Sequence, residues 1–244
     1  MSKKTKNKKS QSIFSGLITH KLSWLEFVAI GFCLWFLFYP HPYEILLGIL
    51  LLIPLIGILI NGIEKPSLVS LVEITKDERG YKKYDVLDFI DITAWAILIR
   101  VLLDYEFESF YSMIIPGTIA FIIVLIILFS THKLITQSTK NKWWIYSSII
   151  FNVCIYSYAG TYAANCAFDN SKPQKYLVKV VGKRIVEGRR SDSYYIKITP
   201  WGNHKEEEIS VSKQDFDKLY NDREINIDLK KGLFDIPWYY VEIH

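Results

Sequence analysis

The sequence predicts a helical membrane protein that ends in a small β-domain, and three patterns in its 244 residues lead to this fold class. Five apolar blocks lie between Leu22 and Tyr162, and Lys and Arg residues gather in alternate connections between them. After Lys175, apolar and polar residues alternate. We therefore expect a bundle of five transmembrane helices followed by a mainly β domain of about five strands and one helix.

Four of the five blocks carry little charge and predict spans by themselves. A helix needs roughly 20 residues to cross a hydrocarbon core about 30 Å thick, and each of these blocks comes close to that length. These blocks run from Leu22 to Tyr39, from Ile45 to Ile60, from Met113 to Ser130 and from Trp143 to Gly160.

The remaining block, Val86 to Leu103, contains charged residues, so the loop charges decide whether it crosses. Six Lys lie before Leu22, five Lys and Arg lie in residues 61–85, and three Lys lie in residues 131–142. Residues 40–42 and 104–111 contain none. If all five blocks cross, every basic connection lies in the cytoplasm, as the positive-inside rule requires. If this block does not cross, residues 131–142 move outside.

The five-span interpretation sets the predicted domain layout. It places a disordered basic tail, 1–21, in the cytoplasm and a transmembrane domain at 22–162, followed by a linker at 163–174. The β-domain, 175–244, then lies outside a plasma (inner) membrane. Its strands are predicted at Tyr176–Val186, Tyr194–Thr199, Glu207–Val211, Ile225–Lys230 and Trp238–Ile243, with a helix at Ser212–Tyr220.

The sequence offers no catalytic motif. It lacks G-x-S-x-G, H-E-x-x-H and a phosphate-binding glycine loop, and its five His and three Cys are scattered without paired ligand spacing. We therefore expect neither a cofactor nor a metal, and favour a protein that is not an enzyme. From Asp169 onward fourteen basic residues face thirteen acidic ones, so the domain lacks the basic surface of a nucleic-acid-binding protein.

Polar residues inside the apolar blocks are the candidate site, because hydrocarbon penalises them and function often explains them. Two interpretations remain open. These residues either solvate helix ends and join helices, or they line a path for a proton or cation. The candidates are Asp88, Asp91, Arg100 and Asp104 on the third block and Ser148, Asn152 and Tyr156, spaced by four, on the fifth.

The layout and the closing motif Gly232-Leu233-Phe234-Asp235-Ile236-Pro237-Trp238 resemble those of uncharacterised bacterial multi-pass envelope proteins with a small C-terminal β-domain. This resemblance implies a bacterial plasma membrane and no activity. The expected function is therefore the presentation of the β-domain for assembly or partner binding. Its expected partners are the lipid bilayer and either an envelope protein or a second copy. A transporter or channel subunit that uses the intramembrane polar residues is the alternative.

Overall fold

The computed structural model describes residues 25–63, 65–72, 87–136, 138, 141–188 and 192–243. The chain forms two compact units. The helical unit contains the described residues up to Asp104 together with Tyr111–Phe168. The sheet unit contains Tyr105–Phe110 and the described residues from Asp169 onward. The predicted tail, 1–21, lies outside the described residues, and helix α5 continues to Ala167, into residues predicted as a linker.

Among the described residues, five α-helices build the helical unit. Its core contains Leu68 and Leu71 from a short 3₁₀-helix, Leu68–Leu71, together with residues from every helix, among them Phe89, Leu128 and Val153. The helices are α1 (Leu25–Phe38), α2 (Tyr43–Gly62), α3 (Leu87–Asp104), α4 (Tyr111–Thr131) and α5 (Lys142–Ala167).

The prediction of five membrane spans is wrong. Within the described residues, only α2 and α4 are long and apolar enough to cross a membrane. The described helix α1 is too short, and four charged residues interrupt α3. Helix α5 has sufficient length, but polar residues recur along it, and three of them, Asn152, Ser157 and Asn165, are buried within the protein. Block length alone therefore overestimated the number of spans, because a helix packed among other helices can also be largely apolar.

The two apolar helices differ in how their side chains are covered. In α2, 44% of the most apolar stretch is buried, whereas in α4 only 17% is buried. The core helix of a soluble protein would bury most of such a stretch. Helix α4 instead exposes large apolar side chains along its length, namely Ile114, Ile115, Ile119, Ile122, Ile123, Ile126 and Phe129.

The sheet unit is one antiparallel sheet with the strand order β1-β6-β5-β2-β3-β4. A short helix, α6 (Lys213–Lys218), begins after Ser212, whose hydroxyl accepts a hydrogen bond from the Asp215 amide. The strands are β1 (Glu106–Phe107), β2 (Gln174–Val186), β3 (Ser193–Ile198), β4 (Glu207–Val211), β5 (Glu224–Lys230) and β6 (Trp238–Glu242).

The prediction of a five-stranded β-domain formed by the C-terminal region alone is also wrong. Five of the strands lie close to the stretches where residues alternate, but the sixth, β1, comes from the connection between α3 and α4. Glu106 pairs with Tyr239 and Phe107 with Trp238. A two-residue strand has no periodicity to recognise, so only long-range pairing reveals it.

Strand β2 bends the sheet so that it encloses a core. Its residues 174–179 pair with β5 and its residues 180–186 with β3, and a register shift lies between Val180 and Gly182, near the start of the pairing with β3. Such irregularities bend a strand and increase the local twist. The resulting core contains, among others, Val178, Ile196, Ile209, Phe216 and Ile227.

Candidate functional site

Arg100 and Asp104, two of the predicted site residues, form an ion pair at the end of α3. The Arg100 Nε donates to Asp104 Oδ2 at 2.6 Å, and its Nη1 donates to the Leu37 carbonyl at 3.4 Å. Leu37 lies in the last turn of α1, where carbonyl groups lack helical donors. Arg100 therefore joins two helix ends.

The acidic pair Asp88 and Asp91, about three turns before Arg100, gives less information. Asp88 lies in the first turn of α3, with its side chain outside the described part of the structure. Asp91 follows three residues later and is half-buried.

The predicted polar stripe on α5 packs inside the helical unit. Asn152 and Tyr156 are buried and Ser148 is half-buried. The Tyr156 hydroxyl donates a hydrogen bond to the Leu51 carbonyl of α2. Pro54, inside α2, has no N–H and so leaves the Leu50 carbonyl without its helical donor. Tyr156 thus bonds to the carbonyl next to this break in the helical ladder.

The described hydrogen bonds of the predicted residues thus reach different helices. Arg100 connects α3 to α1, and Tyr156 connects α5 to α2. Each contact joins two helices, which explains why a polar side chain lies at that position in the helical unit.

A second cluster of polar residues lies on the outer face of the sheet, which is the face opposite the core. Strand register places Asp228 of β5 between Lys175 of β2 and Tyr240 of β6. The next row contains Leu177, Asn226 and Glu242. We define these six residues as the outer-face site.

Asp228 is the unusual member of this site, because it is only 1% exposed although it points away from the core. Its Oδ2 lies 3.8 Å from Lys175 Nζ, and its Oδ1 is buried without a hydrogen-bond partner among the described residues. Lys175 also contacts Glu242 at 3.0 Å. Burying a carboxylate is unfavourable unless charges and donors compensate. Lys175 and a hydrogen bond from the Tyr240 hydroxyl compensate in part, whereas the Asp228 Oδ1 has no such partner among the described residues.

The surroundings of Asp228 combine charge with exposed apolar surface. Burial raises the pKa of the Tyr240 hydroxyl, its hydrogen bond to Asp228 and the charges of Asp228 and Glu242 raise it further, and the charge of Lys175 opposes this effect. The Tyr240 hydroxyl therefore stays protonated at neutral pH and donates a hydrogen bond to the Asp228 carboxylate. Leu177 is 65% exposed next to this polar row. The site thus combines an exposed apolar side chain with a buried, charged row on one face of the sheet.

Sequence reasoning missed this site for a specific reason. The alternation of Ile225, Ile227 and Leu229 with polar residues correctly places Asp228 on the opposite face. That face would ordinarily be solvated. Only the cross-strand neighbours from β2 and β6 bury it, and no local pattern encodes them.

The described residues contain no group of three or more His, Cys, Asp or Glu side chains arranged to hold a metal ion. Comparison with protein-family models, curated proteins and solved structures finds no match.

Proposed function

We propose that this is a non-enzymatic, membrane-anchored protein that presents the outer-face site of its sheet unit to a protein partner in the cell envelope. The observation that carries the proposal is Asp228, a carboxylate buried on the face opposite the core and surrounded by Lys175 and Tyr240. Polar groups that are expensive to bury and do not stabilise the core often serve recognition.

Membrane anchoring is supported by α4, whose apolar side chains are mostly exposed. An exposed surface of this size and composition would be unfavourable in water. In a bilayer, lipid chains would cover this surface and remove its unfavourable contact with water.

The proposed orientation follows from the residues at the two ends of α4. The preceding segment, Tyr105–Phe110, contains two Glu and no Lys or Arg, whereas residues 131–142 contain three Lys. The positive-inside rule places the basic end in the cytoplasm. Because Tyr105–Phe110 and the residues from Asp169 onward share one sheet, the chain must return across the membrane through the 26-residue helix α5, whose polar residues Asn152, Ser157 and Asn165 are buried within the protein. The sheet unit then lies outside the plasma membrane.

Photo-crosslinking on the full-length protein in its native membrane tests the binding surface. A photoreactive amino acid replaces Leu177, and a matched control carries it at Tyr220, which is equally exposed but lies outside the outer-face site. We expect discrete protein adducts from position 177 that are absent from position 220.

A second substitution connects the adducts to the carboxylate. Asp228→Asn keeps the shape of the side chain and removes its charge, so adducts from position 177 should decrease. Hydrogen exchange of β5 verifies that the strand remains folded. Identical adducts from positions 177 and 220, or adducts unaffected by Asp228→Asn in a folded protein, would contradict the proposal.

A further inference from the structure

One end of the sheet contains both chain connections to the helical unit. Phe107 of β1 pairs with Trp238, the first residue of β6, and the chain then continues from Phe107 towards α4. Gln174, the first residue of β2, pairs with Leu229 near the end of β5. Residues before 174, after 107 and between β5 and β6 therefore lie at the same end. We call this the connecting end of the sheet, comprising 107–110, 169–173 and 231–237.

The turn between β5 and β6 is firmly attached at the connecting end. The Asp169 Oδ2 accepts hydrogen bonds from the Gly232 amide and from the Trp238 indole, both at 3.0 Å. The Lys231 amide donates to the Ser171 hydroxyl at 3.3 Å. The turn therefore has a fixed conformation.

This fixed turn holds apolar side chains in an exposed position. Leu233 is 50% exposed and Phe234 is 45% exposed, whereas Ile236 in the same turn is fully buried. Phe110, at the same end of the sheet, is 65% exposed and stacks on Phe107 with 4.3 Å between ring centroids. Phe110, Leu233 and Phe234 thus expose large apolar surfaces at one end of the domain. Ile236, in the same turn, shows that an apolar side chain can be buried there.

The covalent continuity of this end with α4 identifies its partner. Phe110 immediately precedes Tyr111, the first residue of the helix whose apolar side chains are most exposed. If α4 crosses a bilayer, as the proposed function requires, Tyr111 lies at the level of the headgroups, where Tyr rings are favoured, and Phe110 lies next to it in the chain. Leu233 and Phe234, at the same end of the sheet, then face the same layer.

We propose that the connecting end of the sheet inserts Leu233 and Phe234 into the interfacial layer of the lipid bilayer. Amphipathic helices that lie in this interface bury their apolar faces about 5–10 Å deep at the boundary between headgroups and acyl chains, and we expect a similar depth for Leu233 and Phe234. The inserted turn and α4 would hold the domain at two points, which restricts how the outer-face site is presented.

Depth-dependent fluorescence quenching on the full-length protein in vesicles tests this inference. An environment-sensitive fluorophore is attached to a single cysteine at position 233 or 234, in a chain whose Cys33, Cys154 and Cys166 are replaced by Ala. The matched control carries the label at Tyr220, which is 65% exposed and precedes β5 at the opposite end of the sheet. We expect probes 233 and 234 to lose fluorescence with lipids that carry a nitroxide high on the acyl chain. Probe 220 should respond only to aqueous iodide.

Three outcomes would overturn the inference. Strong iodide quenching at 233 and 234 without nitroxide quenching would show that water covers the turn. Resistance to both quenchers would indicate a protein cover. Failure of the chain to float with the vesicles would remove the anchoring on which the inference rests, whereas flotation without nitroxide quenching leaves that anchoring intact.

Discussion

The His204 Nε2 lies 3.7 Å from the Glu108 Oε1, although 96 positions separate the two residues in the sequence. His204 follows β3, and Glu108 follows β1, at the opposite edge of the sheet. The His204 Nδ1 also lies 3.4 Å from the Glu207 Oε2, and its ring stacks on Trp201 at 4.3 Å. The sheet therefore curls until its two edges meet through one imidazole.

The substitution His204→Phe tests this edge contact. Phe keeps the stack on Trp201 and removes both nitrogen contacts, so the attachment of residues 105–110 should weaken by about 0.2–1 kcal/mol. Hydrogen exchange of β1 and β6 in the full-length protein measures this loss. Glu206→Gln is the control, because Glu206 pairs only with the half-exposed Lys197 and should leave the exchange unchanged. Unchanged protection in the Phe variant would contradict the role of His204.

Glu106 makes the same edge sensitive to pH. Burial raises the pKa of its carboxyl group, and the charge of Glu207 raises it further. A raised folded pKa means that stability is greatest below the unfolded pKa and falls as pH rises through the folded value. Glu106→Gln should therefore increase the protection of β6 amides at pH 7 and make no difference near pH 4. A variant that is less protected at pH 7 would show that the charge is favourable.

Asp169→Asn should release the turn between β5 and β6. Burial opposes ionisation of Asp169, but hydrogen bonds from Ser171, Gly232 and Trp238 outweigh it and lower the pKa of this carboxyl group. Its stabilisation is therefore present at neutral pH and lost as pH falls through that lowered pKa. Removing the charge should cost about 1–3 kcal/mol at pH 7, measured by thermal unfolding monitored by Trp fluorescence.

The control for Asp169 is Asp235→Asn in the same turn. Asp235 pairs with Lys231, both side chains are 73% exposed, and Asn tolerates the positive φ of 58° at this position. This substitution should change stability by less than about 0.5 kcal/mol. Equal effects of the two substitutions would refute a specific role for Asp169.

His132 should make the helical unit less stable in acid. Its Nε2 lies 3.2 Å from Asn61 Nδ2, which also donates to the Ser70 hydroxyl. Burial lowers the pKa of the imidazole, and a hydrogen bond with the Leu128 carbonyl opposes this effect. Because the unfolded chain binds the proton first, stability is lost as pH falls from about 6.5 towards the lowered pKa. In His132→Gln the unfolding temperature should no longer depend on pH across this range. In the control His41→Gln, at an exposed position, the unfolding temperature should still fall as the pH falls.

Gly117→Ala should disturb the contact between α4 and α5. An added Cβ would lie 2.6 Å from the Tyr158 ring, whose hydroxyl is 2.8 Å from Thr118 Oγ1. Overpacking of this kind costs about 1–3 kcal/mol. Gly48→Ala in α2 is the control, since nothing lies within 4 Å of its added Cβ. Thermal unfolding in detergent compares the two, and equal melting temperatures would contradict a close helix contact at Gly117.

Local patterns in the sequence were sufficient for several elements. The alternation around Ile225 and Ile227 predicts β5, and Ser212 marks the start of α6 as expected. The apolar lengths around Leu50 and Val124 predict the two helices that can cross a membrane. These features follow from side-chain period and capping, which depend on residues close together in the chain.

The same patterns failed where contacts between residues far apart in the sequence determine the surroundings of a side chain. Asn152 and Ser157 lie within a predicted membrane block, but they are buried among helices, and apolar composition cannot distinguish protein surroundings from lipid. Arg100 and Asp104 pair with the spacing of four that places two residues on one helix face, whereas no local pattern indicates the Leu37 carbonyl that Arg100 also contacts.

The sequence by itself determined where strands and apolar helices form, because each depends on a short periodic stretch of side chains. Only the tertiary structure decided that Glu106 and Phe107 add a sixth strand, that neighbouring strands bury Asp228, and that His204 meets Glu108. These features arise from strand register and sheet curvature, which bring together residues from opposite parts of the chain.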